Sequence, residues 1–232
     1  MHSSCTPRRV GFALRPALLI GVSLALAACN QTASTQVSLA ATAPQRLAAV
    51  ETRYQALPDE RFPVRAIRAD ELDPKYARQR VRYDTHHPPG TVVVDPDAKF
   101  LYLVQEGGYA MRYGVGVGRE GFGWSGSATI ARKAQWPTWT PPTEMIKRQP
   151  ELRQYASGMK PGTENPLGAR ALYLFQNGRD TLYRLHGTND PSSIGQDVSS
   201  GCVRLLNQDV IDLYQRVPAG SKVVVLPHGR RA

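Results

Sequence analysis

The sequence predicts a mainly β fold with one short helix after Cys202. Three observations predict it. From Thr91 onward, short runs rich in Val, Leu, Tyr and Phe alternate with small or polar residues, the period of two that sends alternate side chains to opposite faces of a strand. Gly107-Gly108 and Asn177-Gly178 lie between such runs, and both dipeptides suit the positive φ of a two-residue hairpin turn. Beyond Cys202, NQDVIDLYQRV instead carries apolar residues at helical spacing, at Val210, Leu213, Tyr214 and Val217.

In chain order, residues 1–28 read as an export signal: a basic start with Arg8 and Arg9, then an apolar run from Ala17 to Ala28 too short to span a membrane. Leu26-Ala27-Ala28-Cys29 resembles the lipobox of bacterial lipoprotein signals, in which the Cys is lipidated and becomes the new amino terminus. The alternative is an ordinary signal peptide that happens to precede a cysteine. Residues 29–49 are rich in Ala, Thr, Ser and Gln, which bury too little apolar surface to order a chain, and read as a flexible tether. Residues 50–89 mix short helical propensity (DELDPKYARQRV) with Pro and Arg and read as an arm wrapped on the domain that follows.

Residues 90–228 form that domain. TVVVD, KFLYLVQ and YAMRYGVGVG are its first strands, with Tyr109, Met111, Tyr113, Val115 and Val117 on one side of the third. The stretch GFGWSGSATIARKAQWPTWTPPTEMIKRQPEL, rich in Gly, Pro and Trp, reads as a strand and then a functional loop. Its tryptophans are either core fillers or exposed binding groups, and Trp139 in the loop is the candidate for substrate contact. ARALYLF and TLYRLHG follow as two strands of a hairpin. Alternation puts Leu182, Arg184 and His186 on one face of the second, and Tyr183, Leu185 and Gly187 on the other. Asn207 is placed as N-cap of the helix, and KVVVLP closes as a final strand.

Lys and Arg outnumber Asp and Glu by 29 to 19, and without the first 29 residues by 26 to 19. The excess is scattered, with no Lys/Arg run and no aromatic RNA-binding signature, so nucleic acid is the weaker partner class and a carboxylate-rich polymer fits equally well. No nucleotide motif and no His or Cys set at metal-ligand spacing is present, and neither a cofactor nor a metal is expected.

Cys5 falls in the signal and Cys29 in the lipobox, which leaves Cys202 as an unpaired thiol in an exported domain. A thiol is a strong nucleophile only as thiolate, and an imidazole is the usual means of generating one at neutral pH. His186 precedes Cys202 by fifteen intervening residues and ends a strand-like run. Spacing alone does not bring the two together, and a buried, inert cysteine is the competing reading.

His186, then Ser199, Ser200, Gly201, Cys202, Val203 and Arg204, resemble the catalytic motif of the L,D-transpeptidases, the YkuD-like domain. The likeness extends from VVVDPDAKFLYLV through NPLGARALYL and YRLHGTN to KVVVL, roughly Gly90 to Pro227. One departure is Ser200, where most members carry a second His. The resemblance implies a sandwich or barrel-like β domain whose Cys202 attacks the amide between diaminopimelate and the terminal D-Ala of a peptidoglycan stem peptide. D-Ala leaves, and an amine on another stem or on an outer-membrane protein accepts the acyl group. Under that resemblance Cys202 is the nucleophile and His186 the base, with Ser199 or a backbone carbonyl near Gly187 fixing the imidazole tautomer. Backbone N–H groups of Ser200 and Gly201 are candidates for the oxyanion, and Arg204, Tyr183 and Trp139 for substrate contact. It also implies a periplasmic protein, lipid-anchored through Cys29 at the outer membrane of a Gram-negative bacterium. A hydrolase on the same scaffold and a non-catalytic peptidoglycan-binding lipoprotein are the alternatives.

Overall fold

The computed structural model describes residues 48, 50–119, 124–199 and 201–229, which fall within one unit, Ala41–Ala232. The expected signal, tether and lipobox Cys29, and Ser200 of the motif, lie outside the described residues. Strands β1 (Gln79–Arg82), β2 (Val92–Asp95), β3 (Phe100–Gln105), β4 (Tyr109–Gly114), β5 (Val117–Gly118) and β6 (Gly126–Gln135) precede a short helix, α1 (Thr143–Arg148). Then come β7 (Arg170–Gln176), β8 (Arg179–Thr188), β9 (Asp197–Ser199), β10 (Val203–Leu206), helix α2 (Asn207–Arg216) and β11 (Lys222–Val225).

Nine strands form one mixed sheet in the order β1-β4-β3-β2-β11-β6-β7-β8-β10, and β5 pairs with β9. The hairpin turns fall at the expected dipeptides, with φ of 74° at both Gly107 and Gly108, and 50° and 73° at Asn177 and Gly178. β11 runs parallel to β2, and β10 parallel to β8; the other pairs of this sheet are antiparallel.

Leu101, Tyr113, Ile130, Leu172, Leu185 and Leu205 come from strands spread along the sheet, yet they bury into one core. The sheet therefore curves around its apolar side. Its β10 edge meets the chain just after β4, where Gly116 bridges Arg204 through Gly116 N to Arg204 O at 3.0 Å and Arg204 N to Gly116 O at 2.8 Å. That closure gives the sheet its barrel-like character. Val210, Leu213 and Val217 of α2 fill the same core, the face that helical spacing predicts.

Residues 50–89 wrap against this domain. Val50, Tyr54, Ile67, Leu72 and Ala77 form a second cluster with Ile194 and Leu206, the residues that flank the loop carrying Cys202. The Tyr54 hydroxyl donates to Asp209 of α2 at 3.1 Å, and Arg78 pairs with Asp212 at 3.0 Å. Gln79–Arg82 adds β1 to the sheet edge, a strand that its charged, half-exposed sequence QRVR does not announce.

Two sequence expectations are corrected. Asn207 does not cap α2: the N-cap position falls on Leu206, and the Asn207 side-chain oxygen instead accepts the Ala169 N–H at 2.8 Å, tying the helix to the start of β7. Leu182 does not share a face with Arg184 and His186 by simple alternation. The β7–β8 register breaks between Tyr173 and Phe175, and Leu182 sits in the break with φ of 64° and 72% of its surface exposed.

Candidate active site

β8 and β10 lie side by side in parallel, with Leu185 opposite Val203 and His186 opposite Arg204. Leu185 and Val203 point into the core, so His186 and Arg204, one residue further along each strand, take the other face. Cys202 immediately precedes β10 and is two residues from Arg204. By strand geometry its Cα lies roughly 8 Å from that of His186, on the same side of the sheet. Residues separated by fifteen others in sequence are thus brought to adjacent strands because the chain leaves β8 and returns beside it in parallel.

His186 is 5% exposed, and its Nδ1 lies 2.6 Å from the carbonyl oxygen of Gly187. A carbonyl only accepts, so Nδ1 carries the hydrogen and Nε2 keeps its lone pair. Burial pushes the imidazole down to about 4; the Gly187 carbonyl works against that shift, and the charges of Arg204 and Arg184 add to it. The ring is therefore neutral at physiological pH. Gly187, within β8, packs closely against α2, where any Cβ would strike the Asn207 side chain. The residue that orients the imidazole has no room for a side chain.

Cys202 is partly buried. Its thiol donates to the Leu182 carbonyl at 3.8 Å, and its sulfur accepts from the Arg184 N–H. Burial raises the thiol above its ordinary value, while the Arg184 and Arg204 charges pull the other way. Both groups are thus uncharged at neutral pH.

Ser199 is buried and spans the turn before the thiol: its hydroxyl donates to the Cys202 carbonyl at 2.6 Å and accepts the Gly201 N–H at 3.1 Å. The tautomer of His186 is therefore set by Gly187 and not by Ser199. The Gly201 N–H, one of the expected oxyanion donors, is engaged by that hydroxyl. Gly201 has φ of 126°, and a Cβ on Gly118 would lie 2.8 Å from the Gly201 Cα, so β5 presses directly on the turn.

Of the expected substrate-contact residues, Arg204 and Tyr183 are at the site. Arg204 faces it from β10, and Tyr183 packs half-buried against the core with its ring 5.8 Å from that of Trp124. Burial raises the Tyr183 phenol, and the nearby Cys202 adds to the rise. Trp139 lies in the excursion between β6 and β7, where its backbone bridges Met159 and its ring lies 6.2 Å from that of Tyr155. Sequence reasoning passed over Asp180, Leu182 and Arg184 as functional residues. Asp180 and Arg184 are four apart in a strand, a separation of about 13 Å if extended, and only the bulge brings them together. Among the described residues no group of three or more His, Cys, Asp or Glu could hold a metal ion.

A curved mixed sheet that presents a thiol and an oriented neutral imidazole on adjacent parallel strands has the form of a thiol-based enzyme domain. Residues 89–225 match the family model of the L,D-transpeptidase catalytic domain, YkuD, and the chain belongs to that family. The probable L,D-transpeptidase YbiS of Escherichia coli is 34% identical over 151 residues, 63% of this chain and 47% of its own. The probable L,D-transpeptidase ErfK/SrfK of the same organism is 34% identical over 145 residues, 59% of this chain and 44% of its own. The chain thus spans about half the length of these curated relatives. A crystal structure from Brucella melitensis, described as a probable carnitine operon oxidoreductase, aligns at 49% identity over 67% of this chain and 96% of that one, with a TM-score of 0.47. The family assignment rests on the sequence match over residues 89–225.

Proposed function

We propose that the chain is a peptidoglycan L,D-transpeptidase, with Cys202 as nucleophile and His186 as general base. The observation that carries this reading is the contact of His186 Nδ1 with Gly187 O at 2.6 Å, which leaves Nε2 free to accept a proton, on the strand that pairs with the one Cys202 precedes. Nε2 takes the thiol proton as sulfur attacks the carbonyl carbon between diaminopimelate and the terminal D-Ala. The C–N bond then breaks, the imidazolium returns its proton to the departing D-Ala amine, and a thioester remains. An acceptor amine attacks the thioester, gives its proton to Nε2 and releases the thiol. No external energy source is needed, because the thioester conserves the acyl group for transfer.

Ser199 holds the turn of the nucleophile, and the backbone N–H groups at Ser200 and Gly201 receive the oxyanion, that of Gly201 after leaving the Ser199 hydroxyl. A backbone donor is indifferent to side-chain identity, so Ser200 in place of the family's second His is compatible with activity. Arg204 offers a guanidinium to a stem carboxylate. The acceptor is a second stem or an outer-membrane protein, and the protein works in the periplasm, lipid-anchored through Cys29. Incubation with a labelled tetrapeptide stem and a diaminopimelate-containing acceptor tests the reading. Release of D-Ala with a joined product supports it, whereas D-Ala release with only the hydrolysed stem identifies a hydrolase. Cys29→Ala is expected to move the protein from the membrane fraction to the soluble periplasm, and an unchanged membrane fraction counts against the anchor.

A further inference from the structure

Both hydrogen-bonding partners of the Cys202 thiol come from one irregular segment, residues 181–184 of β8. Opposite the single residue Leu174, between the pairs Tyr173–Arg184 and Phe175–Asp180, the chain places three residues, Thr181, Leu182 and Tyr183. A bulge of this kind re-aims the backbone of the strand that carries it. Here it turns the Leu182 carbonyl and the Arg184 N–H to the sulfur. Asp180 ties the bulge together. Its Oδ1 accepts the Leu182 N–H at 2.8 Å and Arg184 Nη1 at 2.6 Å, while its Oδ2 accepts Arg184 Nη2 at 2.8 Å. Arg184 Nη1 also donates to the Tyr183 carbonyl at 2.9 Å, and its guanidinium lies 4.5 Å from the Tyr173 ring centroid on the neighbouring strand. The Thr181 hydroxyl completes the lock, donating to Leu174 O at 2.6 Å and accepting from Tyr183 N at 3.2 Å.

We propose that Arg184 is a positioning residue for Cys202, and that Asp180 both holds it in place and neutralises its charge beside the thiol. The inference rests on the reading of Cys202 as the nucleophile. It adds a control on that nucleophile that lies outside the motif from His186 to Arg204. With Asp180 ionised, the guanidinium is paired and the thiol remains protonated on the Leu182 carbonyl. The charged and titratable groups around the sulfur are Arg184 and Asp180 on β8, Arg204 on β10, the phenol of Tyr183, and the neutral His186 imidazole of β8. Of the two arginines, Arg184 is, among the described residues, the one held by a carboxylate, in a pair that is 15% exposed on the arginine side.

The two members of the pair therefore act on the thiol with opposite sign. Iodoacetamide alkylation of the full-length protein, followed on the Cys202 peptide by mass spectrometry across pH, reads that effect directly. Asp180→Asn keeps the shape and removes the negative charge, and is expected to speed alkylation at pH 7.5 by about threefold or more. Arg184→Gln removes the positive charge and is expected to slow it by about threefold or more, with Arg184→Lys within about twofold of the unaltered protein. Loosening of the fold alone moves Asp180→Asn and Arg184→Gln in the same direction, so a shared direction, or no change in either, overturns the proposal. Should Asp180→Asn fail to fold, the arginine pair decides, and equal slowing in Arg184→Gln and Arg184→Lys overturns it. The readout needs no stem peptide and no acceptor, so failure here leaves the transpeptidase reading to its own product assay.

Discussion

His186 Nδ1 lies 2.6 Å from the carbonyl oxygen of Gly187, the next residue in the chain, and this contact fixes which nitrogen can serve as base. It replaces the carboxylate that orients the histidine in many nucleophilic enzymes. A carboxylate would raise the imidazole by charge; a backbone carbonyl does so only weakly, and burial dominates.

The pH dependence follows from that balance. The folded imidazole is depressed from 6.5 to about 4, so the neutral base persists on the acid side of an ordinary histidine. The thiol is raised above 9.0, so the reactive neutral pair survives on the alkaline side as well. Single-turnover acylation is expected to be flat from about pH 5 through neutral pH, with its acid limb near the depressed histidine value. A limb centred near 6.5 contradicts the assignment.

Ser199 holds the turn before Cys202 through two hydrogen bonds, to Cys202 O and from Gly201 N. Ser199→Ala strips both in a buried site and is expected to cost about 1–3 kcal/mol of stability, with acylation slowed. Ser199→Thr keeps the hydroxyl and is expected to retain more of both. Chemical denaturation and acylation rates on the two variants make the comparison.

Leu182 adopts a left-handed conformation that its side chain disfavours, and 72% of that side chain is exposed. Leu182→Gly is expected to relieve about 1 kcal/mol of backbone strain with little burial lost. Leu182→Pro, which forbids the conformation and removes the N–H given to Asp180, is expected to destabilise and to slow alkylation of Cys202. Urea midpoints of the two variants are expected to move in opposite directions.

These particulars mark how far the sequence can be read. β2, β3 and β4 were legible because Val92, Leu101 and Tyr113 recur at strand period toward one core, and α2 because Val210, Leu213 and Val217 recur at helical period. The strand β10 was hidden: its four residues carry Arg204 in the middle and pair in parallel with a strand far back in sequence. Cys202 and His186 were legible as candidate chemistry, and their placement on adjacent strands only as topology. The bulge at residues 181–183 was illegible because strict alternation was assumed through it, and the roles of Asp180 and Arg184 went with it. Asn207 had the composition of a cap, but a tertiary partner, the Ala169 N–H, claimed its side chain.

Asp209 supplies a stability test away from the chemistry. It is fully buried, and burial raises its carboxyl from 3.8 to about 7, with Arg78 opposing. Because the folded value is raised, its stabilising contribution is complete below pH 3.8 and is lost as pH rises through 7. The melting temperature is expected to fall between pH 5 and pH 8, and Asp209→Asn to flatten that fall. At this size roughly 1 kcal/mol corresponds to about 2–4 °C, which calorimetry resolves.

The central claim is that Cys202 is acylated with His186 as its base, and intact-mass analysis of a single turnover with a tetrapeptide stem tests it most directly. The unaltered protein is expected to gain the acyl group with D-Ala released, Cys202→Ala to gain nothing, and His186→Ala to acylate about 10² to 10⁴ times more slowly. Acylation of Cys202→Ala at the unaltered rate, or of His186→Ala within tenfold of it, which is about 1.4 kcal/mol in the barrier, contradicts the account.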